Sequence, residues 1–173
     1  MAKSLEADFT AFVAARAHAL LKTAYALTGD RHAAEDLVQN ALAKAFARWR
    51  RINGKPEPYL RQVIYNDFVS GWRSRRRHPE VIVAEVPERS DAGRLVGDAA
   101  LRLLLRDALL ALPPRQRAVL VLRYLEDRSV EATASVLSCR PGTVASQASR
   151  VLATLRELVP QLDRFDDFSE VTR

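Results

Sequence analysis

Apolar residues recur at helical spacing through most of this chain, and one internal segment interrupts the pattern. Between residue 80 and about residue 97 the sequence carries Pro87, Gly93 and Gly97 among acidic side chains, without regular apolar spacing. Proline and glycine break helices, so such a segment between two periodic blocks is typical of a linker between domains. The chain is therefore predicted to fold as two separate helical units.

The prediction for the whole chain is an all-α fold of two small helical domains joined by a flexible acidic linker. With 173 residues and 48% hydrophobic content, the chain can bury real cores. No stretch of useful length shows the strict alternation of a β-strand. The predicted boundaries are a first domain at residues 5–79, the linker at 80–98, a second domain at 99–159 and an acidic tail, expected to be disordered, at 160–173.

Three helices are predicted in the first block. The first spans about five turns and ends at Gly29, and Asp30 is placed to cap the second. The second ends before a breaker segment at residues 53–58. The third runs from Tyr59 to about Arg76 and ends in a cluster of arginines.

The second block contains a helix-turn-helix pattern at residues 129–157. A short helix, a tight turn and a longer helix with Pro141 at its first position would bury one apolar set, namely Ala134, Leu137, Val144, Ala148 and Leu152. The second of these helices would turn polar side chains to solvent, namely Thr143, Ser146, Gln147, Ser149 and Arg150. Such side chains can read base edges in a major groove, although an ordinary helical hairpin with a solvated face is the alternative.

Charge is distributed unevenly along the chain. Residues 1–78 hold 14 basic and 7 acidic side chains, and residues 99–159 hold 9 and 5. The connector at 79–98 holds 2 basic and 5 acidic side chains, and the tail from residue 160 holds 2 and 4. Clustered positive charge in both blocks, with a net charge of +6, predicts a polyanionic partner such as nucleic acid.

Several classes of site are not expected. The single cysteine, Cys139, permits no internal disulfide and is placed as a small core residue, with a redox role left open. The three histidines lie far apart, so neither a metal nor another cofactor is expected. No P-loop or nucleophile with its base is present, so no catalytic residue is expected. The absence of a long apolar run or signal-peptide core predicts a cytoplasmic protein without membrane insertion.

Short motifs in both blocks resemble one protein family. Residues 112–117 (Leu-Pro-Pro-Arg-Gln-Arg), 120–124 (Leu-Val-Leu-Arg-Tyr) and 142–144 (Gly-Thr-Val) are similar to region four of bacterial sigma-70-type transcription initiation factors. Residues 34–39 (Ala-Glu-Asp-Leu-Val-Gln) resemble region two. With only these two regions and a short linker, the chain resembles the small extracytoplasmic-function, or group IV, sigma factors of actinobacteria.

The resemblance implies protein partners. Asp36, Gln39 and Asn40, on the exposed face of the second helix, would contact the clamp helices of the RNA polymerase beta-prime subunit. The second domain would contact the beta flap, and an anti-sigma factor is a further partner whose existence the sequence leaves open. A plain solvated surface is the alternative for the three side chains.

The resemblance also implies contacts with promoter DNA. A basic, aromatic and amide-bearing set would hold the unpaired strand of the minus-10 element, namely Arg51, Asn53, Lys55, Tyr59, Arg61, Tyr65 and Asn66. A patch at the end of the third helix would bind phosphates, namely Arg73, Arg75, Arg76 and Arg77. The recognition set for the minus-35 element would be Arg140, Thr143, Ser146, Gln147, Ser149 and Arg150. Tyr59 and Tyr65 could equally be core aromatics.

Two functions follow from these patterns. The first is a sigma subunit that directs core RNA polymerase to a promoter and helps to melt it. The alternative is a duplex-binding regulator with a helix-turn-helix and an N-terminal dimerisation domain. The region-two resemblance favours the first, because it is itself a polymerase-binding and single-strand-binding module.

Overall fold

The computed structural model describes the backbone of residues 2–52, 55–77 and 96–159, and the side chains of residues 5–52, 55–71 and 103–159. Within these ranges no strand occurs, which confirms the all-α prediction. A 3-10 turn at Trp49–Arg51 and a π-helical turn at Val121–Leu125 supplement the α-helices. The helices are α1 (Ala2–Thr28), α2 (Arg31–Ala47), α3 (Pro56–Arg77), α4 (Val96–Ala111), α5 (Pro114–Leu120), α6 (Val130–Val136) and α7 (Pro141–Leu158).

The junction between α1 and α2 forms as predicted. Gly29 has a φ of +70°, and its N–H donates to the carbonyl oxygen of Tyr25 at 2.8 Å to end α1. Asp30 caps α2, because its Oδ1 accepts a hydrogen bond from the N–H of Ala33 at 2.7 Å. Helix α1 is longer than predicted, with 27 residues, because helix formers such as Leu5 and Glu6 extend it beyond the apolar stripe.

Helix α4 begins at Val96, inside the segment that the sequence predicted as linker up to residue 98. Ala99 and Ala100 are strong helix formers, but their small side chains add little to a periodic pattern. The helix therefore begins three residues before the predicted start of the second domain at residue 99. The rest of the predicted linker, residues 80–95, and the predicted tail, residues 160–173, lie outside the described residues.

The helix-turn-helix is confirmed in its order and bounds. Ser129 caps α6 by accepting from the N–H of Ala132 at 3.0 Å, and Pro141 opens α7. Four of the five residues predicted to be buried are buried. Leu152 is only half-buried, because α7 turns Val151 and Leu155 toward α4 instead.

The two helical blocks pack against each other through one continuous apolar core. In the first block the core takes in Leu20, Ala24, Leu27, Ala34, Val38, Ala41, Ala45, Leu60, Ile64, Tyr65 and Phe68. In the second block it continues through Ala118, Val119, Val121, Leu122, Ala134, Leu137, Val144 and Ala148. The domains predicted as separate units therefore form a closed arrangement in which α5 and α6 lie on α3.

None of the helices in the described part of the chain is both long enough and apolar enough to span a membrane.

Candidate nucleic-acid interface

The outer face of α2 is open to solvent. Asp36, Gln39 and Asn40 are all exposed, as predicted from the pattern. Asp36 and Asn40 also line a groove of about 670 Å³ between α2 and α3. Lys44 crosses this groove and donates to Asp67 on α3 at 2.7 Å. The groove therefore presents carboxylate and amide groups beside an apolar floor that includes Leu37 and Phe68.

The predicted single-strand set divides into an exposed part and a covered part. Arg51, Lys55 and Asn66 are exposed. Tyr59 is half-buried, and its hydroxyl accepts from Arg48 Nη1 at 3.3 Å. Asn53 lies outside the described residues. Arg51 and Lys55 lie just before α3, and Asn66 lies at its middle, so these exposed side chains are distributed along one length of the helix.

Arg61 and Tyr65 form the covered part. Tyr65 is 0% exposed and belongs to the apolar core, so in this conformation the core-aromatic alternative holds for it. The side chain of Arg61 is 15% exposed and donates to Glu57 Oε1 at 2.9 Å. Burial, and then the nearby Glu126 carboxylate, raise the pKa of the Tyr65 phenol above its ordinary value. While the two domains are packed together, Tyr65 has no exposed surface and Arg61 is paired with the carboxylates of Glu57 and Glu126.

Glu126 is the residue of the second domain that meets this covered part. Its side chain is 8% exposed, and it forms an ion pair with Arg61. Its Oε1 accepts a hydrogen bond from Thr23 Oγ1 of α1 at 2.8 Å, and Arg128 Nε lies 3.9 Å from its Oε2. Sequence analysis missed this residue, since no local pattern relates Glu126 to an arginine 65 positions earlier.

Arg117 makes a second set of contacts between the domains. It is 8% exposed and donates to the carbonyl oxygen of Leu27 at the end of α1, at 2.7 Å. It also donates to Leu110 at 2.7 Å and to Leu112 at 3.1 Å, at the end of α4. Leu27 and Leu110 lie in the last turns of α1 and α4, where carbonyls lack partners within the helix, and Leu112 directly follows α4, so the guanidinium is a shared C-terminal cap. Burial lowers the pKa of Arg117.

One sequence signal could have located Arg117. It lies three residues after Pro114 and four before Val121, and both of these are buried. A cation at that spacing occupies the apolar face of its helix, where an unpaired charge would be costly. The pattern therefore indicates a buried guanidinium that needs acceptors, although it does not indicate which ones.

The outer face of α7 carries the predicted recognition set. Arg140, Ser146, Ser149 and Arg150 are exposed, and Thr143 and Gln147 are half-buried. The turn before α7 contains Ser138 at a φ of +50°, a left-handed conformation that glycine adopts at less cost. The recognition set therefore presents four exposed polar side chains, with Thr143 and Gln147 partly covered.

The structure describes the backbone, but not the side chains, of the predicted phosphate patch. Arg73, Arg75, Arg76 and Arg77 belong to α3 by their backbone, but their side chains lie outside the described residues. Among the described side chains no group of three or more potential metal ligands lies together.

Two helical domains, one of them with an exposed helix-turn-helix, are the architecture of a DNA-binding protein. The family profile described as "Sigma-70 region 2" matches residues 12–78, and the one described as "Sigma-70, region 4" matches residues 102–155. The chain is 41% identical to the RNA polymerase sigma-E factor of Streptomyces coelicolor over 152 residues, which are 87% of this chain and 85% of the relative.

Two further relatives agree with this match. The chain is 32% identical to the ECF RNA polymerase sigma factor SigE of Mycolicibacterium smegmatis, over 82% of this chain and 58% of the relative. The solved structure of sigma factor RpoE of Bartonella quintana, in complex with the anti-sigma factor NepR, superimposes with a TM-score of 0.69. It is 28% identical and covers 88% of this chain and 97% of that one. The chain belongs to the sigma-70 family, among the extracytoplasmic-function sigma factors.

Proposed function

We propose that this sigma factor binds core RNA polymerase through the outer face of α2, contacts the minus-35 element with α7 and captures the unpaired minus-10 strand along α3. The observation that carries the proposal is the joint exposure of the α2 and α7 polar faces on a chain with both sigma regions in order. Its role is recognition and not catalysis. It acts in the cytoplasm, where RNA polymerase transcribes.

The contact with polymerase is assigned to Asp36, Gln39 and Asn40. Their exposure beside the groove between α2 and α3 leaves room for a helical partner to lie against them. A carboxylate and two amides suit a partner that presents arginine or amide side chains, because charge-assisted hydrogen bonds to carboxylates are directional and strong. The beta-prime clamp helices are the expected partner, and the beta flap is expected to hold the second domain.

The contacts with promoter DNA are assigned to two surfaces. Arg150, Ser146 and Ser149 are the most accessible of the recognition set on α7. On α3, Asn66 offers both amide donors and a carbonyl acceptor, which suits an unpaired base edge. Arg51, Lys55 and Arg61 would supply positive charge along the strand, and Tyr59 and Tyr65 would supply stacking surfaces. The four arginines at residues 73–77 would bind phosphates without reading sequence.

An anti-sigma factor is a further proposed partner. The solved relative from Bartonella quintana is described in complex with an anti-sigma factor, and it matches 88% of this chain. A duplex-binding regulator with an N-terminal dimerisation domain remains the alternative function. The match of residues 12–78 to sigma region two supports the sigma factor instead.

Transcription with purified core polymerase tests the proposal. Core enzyme from Streptomyces coelicolor, the source of a relative 41% identical to this chain, would transcribe a random-sequence template library with and without this protein. We expect new transcript 5′ ends that share upstream sequences at two fixed positions. Permanganate reactivity of thymines at the downstream position would report melting. Transcripts that are the same with and without the protein would contradict the proposal.

A further inference from the structure

The side of α3 that faces the second domain carries two of the residues proposed to hold single-stranded DNA. Arg61 and Tyr65 lie one helical turn apart, and both are covered by the second domain. Asn66 lies at the rim, in a crevice of about 210 Å³ that Arg115 and Leu137 of the second domain complete. The domain contact and the proposed DNA contact therefore use the same side of one helix.

The second-domain group that contacts Arg61 is a carboxylate, that of Glu126. The Glu126 carboxylate pairs with Arg61 and also accepts from Thr23 at 2.8 Å. The other charged groups in this cluster are Arg128, Glu57 and Arg16, which pairs with Glu57 at 3.4 Å. An arginine proposed to contact a DNA phosphate is thus satisfied, in the absence of DNA, by a carboxylate from the same chain. Carboxylate and phosphate oxygens both accept from the guanidinium fork, so one replaces the other at a single position.

The backbone of the second domain holds Glu126 in place. The π-helical turn at Val121–Leu125 widens the end of α5, and the N–H of Glu126 donates to Val121 at 3.0 Å. Asp127 then takes a φ of +49°, and the N–H of Arg128 donates to Leu122 at 2.9 Å. These backbone contacts all lie within the second domain, so they hold the Glu126 backbone without help from the first domain.

We propose that the second domain is an intramolecular cover for the single-strand-binding side of α3, with Glu126 occupying the phosphate position at Arg61. This inference rests on the proposed function of α3. Closed packing and single-strand binding exclude each other, so the apparent affinity for a single strand is lowered by the fraction of molecules that are closed. The α2 face is not covered, so contact with polymerase can precede opening.

Two variants of the full-length chain test the cover, with a matched control. Glu126→Gln removes the charge but keeps the size of the side chain, and Thr23→Val removes one hydrogen bond with little change in shape. Asp127→Asn is the control, since it removes the same charge from the adjacent exposed position, and asparagine tolerates a positive φ. Circular dichroism verifies that the helices of each variant are intact.

Two measurements are needed on each variant. Small-angle X-ray scattering gives the radius of gyration, and fluorescence anisotropy gives the affinity for a labelled 12-nucleotide single strand of mixed sequence at fixed salt. For Glu126→Gln we expect a larger radius of gyration and about tenfold tighter binding of the single strand. A tenfold change is expected if about nine molecules in ten of the wild type are closed and the variant is open. Thr23→Val should shift both quantities in the same direction by less, and the control should match the wild type.

The outcomes separate this inference from the proposed function. Glu126→Gln and Thr23→Val variants as compact as the wild type would overturn the role of Glu126. Expanded variants with unchanged single-strand affinity would overturn the cover, even if transcription with core polymerase succeeds. Expanded variants that bind the single strand more tightly would sustain the cover, even if that transcription experiment fails and the proposed function falls.

Discussion

Helices α2 and α3 are neighbours in one domain, yet the second domain packs on α3 and leaves the outer face of α2 exposed. The candidate polymerase contacts on α2 are exposed, whereas on α3 Tyr65 is buried and Arg61 is half-buried against Glu126 of the second domain. The outer face of α7 resembles α2 in this respect, because its recognition set faces outward. In the closed arrangement, the surfaces proposed for protein and duplex DNA are exposed, whereas Arg61 and Tyr65 of the surface proposed for an unpaired strand are covered.

This difference suggests an order of events. Under the proposed roles, polymerase and duplex DNA meet faces of α2 and α7 that are already exposed, whereas an unpaired strand meets Arg61 and Tyr65 only after α3 is uncovered. Melting exposes an unpaired strand only after a promoter has been engaged, so an uncovered α3 is useful only at that stage.

The largest effect is expected at Arg117, which joins the ends of α1 and α4. Arg117→Met would leave the carbonyls of Leu27, Leu110 and Leu112 buried without their donor. Unsatisfied buried acceptors cost about 1–3 kcal/mol each, and partial access of water reduces the sum, so we expect a loss of about 3 kcal/mol. Urea unfolding followed by tryptophan fluorescence measures the free energy of unfolding. Arg156→Met, at an exposed position of α7, is the control and should cost little; equal losses would contradict the capping role.

On the exposed side, Asp36→Ala combined with Gln39→Ala should weaken binding to core polymerase. Loss of one charge-assisted and one neutral hydrogen bond is worth about 2 kcal/mol, or roughly 30-fold in Kd. Because both side chains are exposed, thermal stability and helicity should not change. Anisotropy of an N-terminally labelled chain titrated with core enzyme measures the affinity. Asp8→Ala on α1 is the exposed control, and unaltered affinity of the double variant would remove α2 from the interface.

Local signals in the sequence were sufficient for the helices but not for their assembly. The Gly29 and Asp30 junction, Pro141 at the start of α7 and the exposure of Asp36 all follow from spacing and capping rules within a few residues. The closed packing depends on Glu126 meeting Arg61 and on Arg117 meeting Leu27, across 65 and 90 positions of sequence. A single sequence holds no signal for such pairings. For the same reason Tyr65 could be read either as a stacking surface or as a core residue.

The recognition helix offers a third test, because α7 is exposed in the closed form. Arg150→Ala removes a long cationic side chain from its outer face, and a specific base contact is worth on the order of 1–3 kcal/mol, so about a tenfold loss is expected at the preferred minus-35 sequence. Discrimination between preferred and altered sequences should fall with it. Competition binding with promoter duplexes measures both. Arg156→Ala, on the last turn of the same helix, is the control; an equal loss for every sequence from Arg150→Ala would indicate a phosphate contact instead.

The smallest effect concerns the buried phenol of Tyr65. Its pKa is raised, so the folded protein keeps this proton at a pH where the unfolded chain, with an ordinary tyrosine pKa of about 10, releases it. The folded state then binds more protons than the unfolded state, and stability falls as pH rises above about 10. One such proton lowers the free energy of unfolding by about 1.4 kcal/mol per pH unit.

Tyr65→Phe removes this titration and should flatten the alkaline part of the stability curve. Urea unfolding of wild type and variant at pH 7, 9, 10 and 11 gives the difference between the two directly, so other alkaline titrations cancel. We expect that difference to be constant from pH 7 to 9 and to move in favour of the variant by about 1 kcal/mol between pH 10 and 11, because the phenol of the unfolded chain is already half ionised at pH 10. If the curves stayed parallel to pH 11, the phenol would be reaching water in the folded protein. Tyr65 would then not be covered by the second domain in solution, and the contrast between α2 and α3 would fail.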